Sequence, residues 1–307
     1  MNIPSLPEPL EVSAPEPLEW PGLAEKKVSA DILRLDKLHP VISGNKWFKL
    51  KEYLPEAMQS PGHTLITFGG AWSNHLIAAA CAARQLGLSA IGIVRGERPP
   101  VLSETLMAAA AYGMQLEFIS RHEYTRKEEP DFLRQLTDRF PGAYIIPEGG
   151  AGPIGIKGCE DILRLSDTSR YTHILCAVGT GTTLMGLIRA AGPGQVVIGI
   201  PVLKGFDEWT AVDPHGYLTP EQKGSARLLP HYHFGGYARH PPELLDFMNR
   251  WYRETGIPSD IVYTGKLFFA LWDSIGHDLF PANSRLLVIH SGGLQGNLSL
   301  TPGILDF

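Results

Sequence analysis

The sequence has 307 residues, of which 44% are hydrophobic and 19% charged, which argues against a disordered chain or a coiled coil and suits one large α/β unit or two joined lobes. Its formal net charge is −5, with 27 basic and 32 acidic residues mixed along the chain. No concentration of charge indicates nucleic acid or an anionic membrane, so small molecules are the expected partners.

Cysteine and histidine spacing gives no sign of a structural metal or disulfide framework. Cys81, Cys159 and Cys176 form no Cys-x-x-Cys pair, and His231 with His233 has no convincingly spaced third ligand. The N-terminal sequence lacks the basic and apolar regions of a signal peptide, and no apolar run of about 18 residues occurs. These features predict a cytoplasmic protein without a metal site.

Taken in chain order, the elements predict an α/β protein. Six prolines between Pro4 and Pro21 favour an extended lead segment. From Val28 onward, strand-length apolar runs alternate with amphipathic or alanine-rich stretches, a pattern typical of βα units around a mostly parallel sheet. The predicted strands include 64–68 and 173–178, and the predicted helices include 128–140, 158–166, 184–190, 243–255 and 267–278.

Two lobes with a cleft between them are the predicted domain organisation. Residues 48–145 would form the small lobe, and residues 1–47 with 146–307 the large one. The boundary near residue 146 is placed at a glycine cluster. That cluster contains a G-x-G-x-x-G pattern at Gly150, Gly152 and Gly155, which lacks a clearly placed ribose-binding acid and is interpreted as a turn.

Lys46 follows a Ser-Gly-Asn turn at the start of a predicted helix. A solvated surface lysine is the simpler interpretation, because the chain contains eleven lysines. A helix N-terminus and burial, however, both disfavour the cationic form, and so promote a nucleophilic amine that forms imines.

The glycine- and threonine-rich loop after the strand 173–178 has the composition of a phosphate-binding turn. Small residues allow backbone N–H groups to converge on an anion at the N-terminus of the following helix. A turn without a ligand is the alternative. The loop residues are Gly179, Thr180, Gly181, Thr182 and Thr183.

Further polar motifs follow predicted strands or precede helices. Ser73, Asn74 and His75 come after the strand 64–68, where ligands bind in open α/β sheets, although simple helix capping explains a serine or asparagine equally well. Tyr263 and Thr264 precede a helix, and Ser291 follows a strand; a buried tyrosine and a plain turn are their simpler interpretations.

In this order, the motifs GNK, SNH, GTGTT, VYTGK and HSGG resemble those of the fold-type II pyridoxal phosphate enzymes, and the similarity is greatest to the 1-aminocyclopropane-1-carboxylate (ACC) deaminase and D-cysteine desulfhydrase group. The resemblance spans residues 43–296. It implies a two-lobed fold like that of the tryptophan synthase β chain, with open, mostly parallel sheets, a bound pyridoxal 5'-phosphate and a homodimer.

The resemblance also implies roles for the motif residues. Lys46 would form the imine with the cofactor and later act as a base, and the loop from Gly179 to Thr183 would hold the phosphate. Asn74 would bind the 3'-oxygen of the ring. Ser73, as a catalytic residue, and His75 would meet the substrate carboxylate or leaving group, and Tyr263 would stand over the reacting carbon as a second acid, base or nucleophile. The substrate would also contact Asn74 and, in a further resembling segment, Tyr237.

Two positions distinguish the reactions within the group. The ACC deaminases have a glutamate where this chain has Thr264 and a leucine where it has Ser291; both replacements resemble the desulfhydrases. Hydroxyl groups beside the ring nitrogen suit loss of a β-substituent from a small amino acid, which yields a 2-oxo acid and ammonia. Ring opening of ACC is the alternative reaction. A nucleotide- or pyridoxal-phosphate-binding protein without catalysis is the alternative of another class.

Leu76, Ile77 and Phe48 depart from the usual desulfhydrase motifs. The related enzymes commonly read SNHxRQ and GGNKxRK, whereas here Leu76 and Ile77 follow His75, and Phe48 stands in place of a basic residue. These departures leave the substrate of this protein open.

Overall fold

The computed structural model describes residues 14–307, so the first part of the predicted proline-rich segment lies outside the described residues. Ten strands and twelve α-helices occur in the described chain. The strands are β1 Glu16–Pro17, β2 Ser29–Arg34, β3 Thr64–Gly69, β4 Ser89–Arg95, β5 Met114–Ile119, β6 Tyr144–Ile145, β7 His173–Val178, β8 Val196–Pro201, β9 Ala226–Leu228 and β10 Arg285–His290.

The helices alternate with these strands through most of the chain. They are α1 Pro21–Glu25, α2 Asn45–Gln59, α3 Asn74–Leu86, α4 Glu104–Ala111, α5 Arg121–Tyr124, α6 Pro130–Arg139, α7 Pro153–Glu160, α8 Thr182–Ala190, α9 Trp209–Val212, α10 Pro220–Gly224, α11 Pro242–Thr255 and α12 Thr264–Gly276. Within residues 14–307, none of these helices combines the length and apolarity that crossing a membrane requires.

The chain divides into two compact units. Unit 1 contains His39–Ile42 and Lys46–Gly158, and the described part of unit 2 contains residues 14–38, Ser43–Asn45 and Cys159–Phe307. The second boundary lies later than the predicted residue 146. Packing explains the difference, because α7 belongs with α2: a Cβ on Gly158 would lie 2.0 Å from the carbonyl oxygen of Phe48.

Unit 1 is built on a four-stranded parallel sheet in the order β5-β4-β3-β6. Its central strands are apolar along almost their whole length, as expected for strands covered on both faces. Ile66, Phe68, Ile91 and Ile93 form part of its core. Ser73 caps α3, which confirms one of the two predicted caps, and Gly87 ends the helix in the left-handed conformation.

Unit 2 contains a six-stranded sheet in the order β1-β2-β10-β7-β8-β9. Only the short edge strand β1 runs antiparallel to its neighbour. Trp251 and Phe268 stack in the core below this sheet, with ring centroids 4.6 Å apart. The α/β fold and the mostly parallel sheets predicted from the sequence are confirmed.

The predicted helix over residues 158–166 is wrong in its bounds. The structure has α7 over Pro153–Glu160, followed by a 3-10 turn at Asp161–Arg164. Pro153 favours the earlier start, because proline has no N–H to lose in the first turn and its φ is preset for a helix. The strand predicted at residues 173–178 is confirmed as β7.

The packing of Gly158 gives a test of the fold of unit 1. We expect Gly158→Ala to lower the free energy of unfolding by about 1–3 kcal/mol, because the added methyl group meets backbone rather than a movable side chain. Gly276→Ala is the control, since an added Cβ there meets nothing within 4 Å; it should be neutral or stabilising by up to about 1 kcal/mol. Urea unfolding measures both, and equal stability of the two variants would contradict the packing.

Candidate functional site

The predicted phosphate-binding loop joins β7 to α8 in unit 2. Gly181 caps α8 with a φ of 79°, and a Cβ at this position would lie 2.4 Å from the carbonyl oxygen of Val212. Only glycine fits there. The hydroxyl oxygens of Thr180 and Thr182 lie 3.0 Å apart, beside the first N–H groups of α8, which have no acceptor within the helix. The loop therefore has the backbone and hydroxyl donors that an anionic group requires.

The residue before Lys46 is bonded to this loop. The side-chain amide of Asn45 donates a hydrogen bond to the hydroxyl of Thr183 over 2.9 Å. The backbone N–H of Asn45 donates to the carbonyl oxygen of Ser291 over 3.2 Å. Asn45 therefore connects the phosphate-binding loop to the turn after β10, and Lys46 follows it as the second residue of α2.

Gly44 explains why the motif begins with glycine. Its φ is 67°, and an added Cβ would lie 1.9 Å from the carbonyl oxygen of Ser291. Any larger residue would push the chain away from the turn that Asn45 binds. The GNK pattern thus has a physical cause at its first two positions, both of which fix where the chain enters α2.

Tyr263 lies next to the same loop, at the start of α12. A Cβ on Gly179 would lie 3.1 Å from the ring of Tyr263, so the ring covers the backbone of the loop. The backbone at Tyr263 is in turn fixed by Asp260. The carboxylate of this fully buried residue accepts the N–H groups of Val262, Tyr263 and Thr264 over 2.8–2.9 Å.

The hydroxyl of Thr264 is engaged by the same aspartate. It donates to a carboxylate oxygen of Asp260 and accepts the N–H of Asp260, both over 2.7 Å. Ser291 is 8% exposed, and its hydroxyl takes part in no hydrogen bond within residues 14–307. Both hydroxyls are predicted to face the cofactor ring. The Thr264 hydroxyl already donates its proton to Asp260, whereas the Ser291 hydroxyl does not donate its proton to another described residue.

Asp260 was missed by the sequence reasoning. Burial raises the pKa of its carboxyl group, and the hydrogen bonds from Thr264, Tyr263 and Val262 oppose this rise. The signal was available in DIVYTG, where an aspartate four residues before Thr264 has the spacing of a residue that binds the N–H groups of a turn.

The site residues of unit 1 lie around the start of α3. The hydroxyl of Ser73 accepts the N–H of Leu76 over 3.2 Å, so the capping interpretation of Ser73 is correct. Asn74 is the first residue of α3. His75 is buried, and the charges of Lys46 and Lys49 contribute, after desolvation, to a pKa well below its ordinary value.

The G-x-G-x-x-G segment is part of the packing of unit 1. Gly150 has a φ of 67°, and a Cβ there would lie 2.9 Å from the Cβ of Lys49 and 3.7 Å from the ring of His75. Glycine is therefore required by close packing at this position. This explanation supports the turn interpretation over a nucleotide-binding loop.

Tyr237 is the remaining predicted site residue. It is 48% exposed and follows a loop bound by the buried Lys266, whose ammonium group donates to the carbonyl oxygens of His233 over 2.9 Å and Gly236 over 2.7 Å. Burial lowers the pKa of Lys266 to about 8, against the opposing charge of Asp260. The role of Tyr237 in substrate binding stays a prediction.

Comparison with known proteins gives one family for nearly the whole chain. Residues 12–292 match the family described as "Pyridoxal-phosphate dependent enzyme". A bifunctional D-cysteine desulfhydrase/1-aminocyclopropane-1-carboxylate deaminase of Arabidopsis thaliana is 28% identical over 83% of this chain and 70% of its own length. A D-cysteine desulfhydrase of Salmonella typhi is 25% identical over 95% of this chain and 96% of its own length.

The fold agrees with these sequence matches. The crystal structure of an ACC deaminase homologue superposes with a TM-score of 0.75 at 26% identity, over 95% of this chain and 93% of that one. The site residues fit the cofactor as well. The loop from Gly179 to Thr183 suits a phosphate through the first backbone N–H groups of α8 and its threonine hydroxyls, and Lys46 has the amine that an aldehyde cofactor requires.

The buried carboxylate of Asp260 gives a test of how the site is held. Asp260→Asn replaces an acceptor of four hydrogen bonds by an amide with one acceptor oxygen. We expect the free energy of unfolding to fall by about 1.5–3 kcal/mol. Asp246→Asn, an exposed change on α11 of the same unit, should stay within about 0.5 kcal/mol of the wild type. Similar urea midpoints for the two variants would refute the role of Asp260.

Proposed function

The chain belongs to the pyridoxal-phosphate dependent enzymes, and we propose that its reaction is the removal of a β-substituent from a small amino acid, most like that of D-cysteine desulfhydrase. One water molecule would be consumed, and the products would be a 2-oxo acid, ammonia and the leaving group. Membership of the family makes the chain a lyase or deaminase that depends on pyridoxal phosphate.

The observation that carries the choice of reaction is the chemistry of positions 264 and 291. Both are buried hydroxyl residues, and Ser291 lies in the turn that Asn45 connects to the phosphate-binding loop. Pyridoxal phosphate, when bound, withdraws electrons from the α-carbon of an amino acid. A hydroxyl beside the ring nitrogen supports less withdrawal than a carboxylate does, which suits loss of a good leaving group more than opening of an unactivated ring.

Each part of the site has a task in this proposal. The loop from Gly179 to Thr183 binds the phosphate, and Asn74 orients the ring through its 3'-oxygen. Lys46 would hold the cofactor through its amine and would take the proton from the α-carbon of the substrate. The β-substituent then leaves with its bonding electron pair. Tyr263, which covers the backbone of the loop, is the second group able to move a proton.

The homodimer implied by the resemblance and the cytoplasmic location favoured by the cysteine pattern are also part of this proposal.

The two alternative reactions are distinguished by their products. D-cysteine would give pyruvate and sulfide, whereas ACC would give 2-oxobutanoate. We expect pyruvate from at least one β-substituted D- or L-amino acid, measured by a coupled dehydrogenase assay. Faster turnover of ACC than of every such amino acid would replace elimination by ring opening.

The role of Lys46 as the residue that binds the cofactor is tested by the absorption spectrum of the protein and by mass spectrometry, and not by turnover. The wild-type holoenzyme should absorb visible light, and reduction with borohydride should fix the cofactor to Lys46 as a mass increment on its peptide. We expect Lys46→Ala to lose both signals, because its side chain has no amine. Lys157→Ala, an exposed lysine of unit 1 paired with Glu52, should keep both. Retention of the reduced adduct in Lys46→Ala would assign the cofactor to another lysine.

A further inference from the structure

His290 is the last residue of β10 and lies directly before Ser291. It is fully buried, and its ring connects the turn after β10 to the segment before α12. The His290 Nε2 lies 2.8 Å from the carbonyl oxygen of Pro258, an atom that only accepts hydrogen bonds. The His290 Nε2 therefore carries hydrogen and donates it to Pro258.

The other ring nitrogen of His290 faces two groups that require opposite protonation states. The backbone N–H of Gly292 lies 3.3 Å from the Nδ1, and a carboxylate oxygen of Asp36 lies 3.3 Å from the same nitrogen. Arg34 donates to the two oxygens of this carboxylate over 2.8 and 2.6 Å. Desolvation opposes ionisation of Asp36, but the bonds from Arg34 and the nearby charges leave its pKa below the ordinary value. A neutral His290 ring accepts from Gly292, whereas a protonated ring would donate to Asp36 instead.

The surroundings of His290 favour the neutral ring. Desolvation lowers the pKa of His290, and the charge of Arg34 adds to this effect. The charges of Asp36 and Asp260 oppose the lowering without reversing it. Phe268 of α12 packs against the ring, with centroids 5.6 Å apart, and has no charge. The imidazole is therefore neutral at about pH 7, and its Nδ1 accepts the Gly292 N–H.

The turn that contains Ser291 and Gly292 is packed closely against the entry to α2. Gly292 has a φ of 75°, and an added Cβ would lie 2.9 Å from the hydroxyl oxygen of Ser43. Ser43 donates its hydroxyl proton to the carbonyl oxygen of Asp36 over 3.2 Å. The Nδ1 of His290 thus lies between the residue that supports Ser43 and the turn that packs on it. A change in the bond to Gly292 would therefore move Ser291.

We propose that neutral His290 is the positioning residue of the Ser291 turn, and that a proton bound at its Nδ1 would break the bond to Gly292, pair the ring with Asp36 and displace the Ser291 hydroxyl. This inference rests on the proposed function, in which that hydroxyl faces the ring nitrogen of the cofactor. It adds proton-dependent control of the same site. The site has the arrangement that elimination requires only while His290 is uncharged.

The protonation state of His290 is measured by nitrogen NMR of the histidine rings in the full-length holoenzyme. His290→Asn identifies its signal among the 11 histidines. We expect a neutral ring with hydrogen on Nε2 at about pH 7. An imidazolium, or a neutral ring with hydrogen on Nδ1, would overturn the proposal.

The effect of His290 on the turn is measured by the hydrogen-exchange protection factor of the Gly292 amide. His290→Leu has no acceptor, and we expect it to lower the protection about tenfold, the scale of one hydrogen bond. His290→Asn keeps a side-chain acceptor that binds no proton, and should restore the protection to within about twofold.

Acidification separates positioning by a neutral ring from a merely structural role. Between about pH 7.5 and about pH 5, the wild type should lose protection at Gly292, whereas His290→Asn should not. His173→Leu is the matched control, because His173 is a half-buried histidine at the start of β7, at the opposite end of the same sheet. Its protection at Gly292 should equal that of the wild type at both pH values.

The link to the cofactor is measured by the visible absorption band of the holoenzyme. We expect His290→Leu and Ser291→Ala to shift this band in the same direction, because both remove the hydroxyl from its place beside the ring. His173→Leu should leave the band unchanged.

The outcomes separate the inference from the proposed function. A loss of protection throughout unit 2 in His290→Leu, not restored by asparagine, would show that the histidine is merely structural and would overturn the inference. Unchanged protection at Gly292 would overturn it as well. If the wild type eliminates a β-substituent but the band does not respond to His290→Leu, the proposed function stands and the inference fails. A wild-type protein without a visible band would defeat both.

Discussion

The hydrogen bond between the Asn45 amide and the Thr183 hydroxyl is the contact on which the cofactor site depends. It joins the start of α2 to the start of α8, two helices that are far apart in sequence. Without it, the turn before Lys46 would keep the hydrogen bonds from Ser43, Gly44 and the Asn45 backbone N–H, but the Asn45 side chain would lose its bond to Thr183. With it, Asn45 is fixed at both its backbone and its side chain. Because Asn45 directly precedes Lys46, the backbone from which the lysine side chain extends has little conformational freedom.

Glycine is what makes this contact geometrically possible. Gly44 and Gly181 both have positive φ, and each lies so close to a carbonyl oxygen that no side chain fits. The close approach at Gly44 brings the entry to α2 against the turn after β10, and the one at Gly181 brings the loop after β7 against Val212 at the end of α9. The backbone at these glycines adopts conformations that other residues rarely reach, and such turns can direct N–H groups towards an anion.

These features differ in how far the sequence predicts them. The loop at Gly179 to Thr183 is predictable because small residues between a strand and a helix have few other uses, and the cap at Ser73 follows from local preference. Thr67 is not predictable, since a threonine inside an apolar strand looks like any β-branched residue. Its bonds to His75 and to the Ile146 carbonyl depend on strand pairing across β3 and β6, which involves residues distant in sequence.

The bounds of α7 differ from the predicted ones for a related reason. In the sequence, the glycines at 150, 152 and 158 suggest a loop between two lobes, because a glycine cluster usually marks a break between structural elements. In the structure Gly150 and Gly158 are packing residues that let α7 and the preceding turn approach α2. A single sequence does not distinguish a glycine that ends an element from one that permits a close contact, because both lack a side chain.

Asp260 shows why the presence of an acid near the ring-nitrogen position does not decide the reaction. Its two carboxylate oxygens accept three backbone N–H groups and the Thr264 hydroxyl. The negative charge is thus distributed over the N-terminal end of α12, where the helix dipole also favours it. A carboxylate engaged in this way organises the motif that carries Tyr263, but it offers no free oxygen to a cofactor ring. In the proposed function, the group that faces the ring nitrogen is therefore the hydroxyl of Ser291, and the acid contributes geometry.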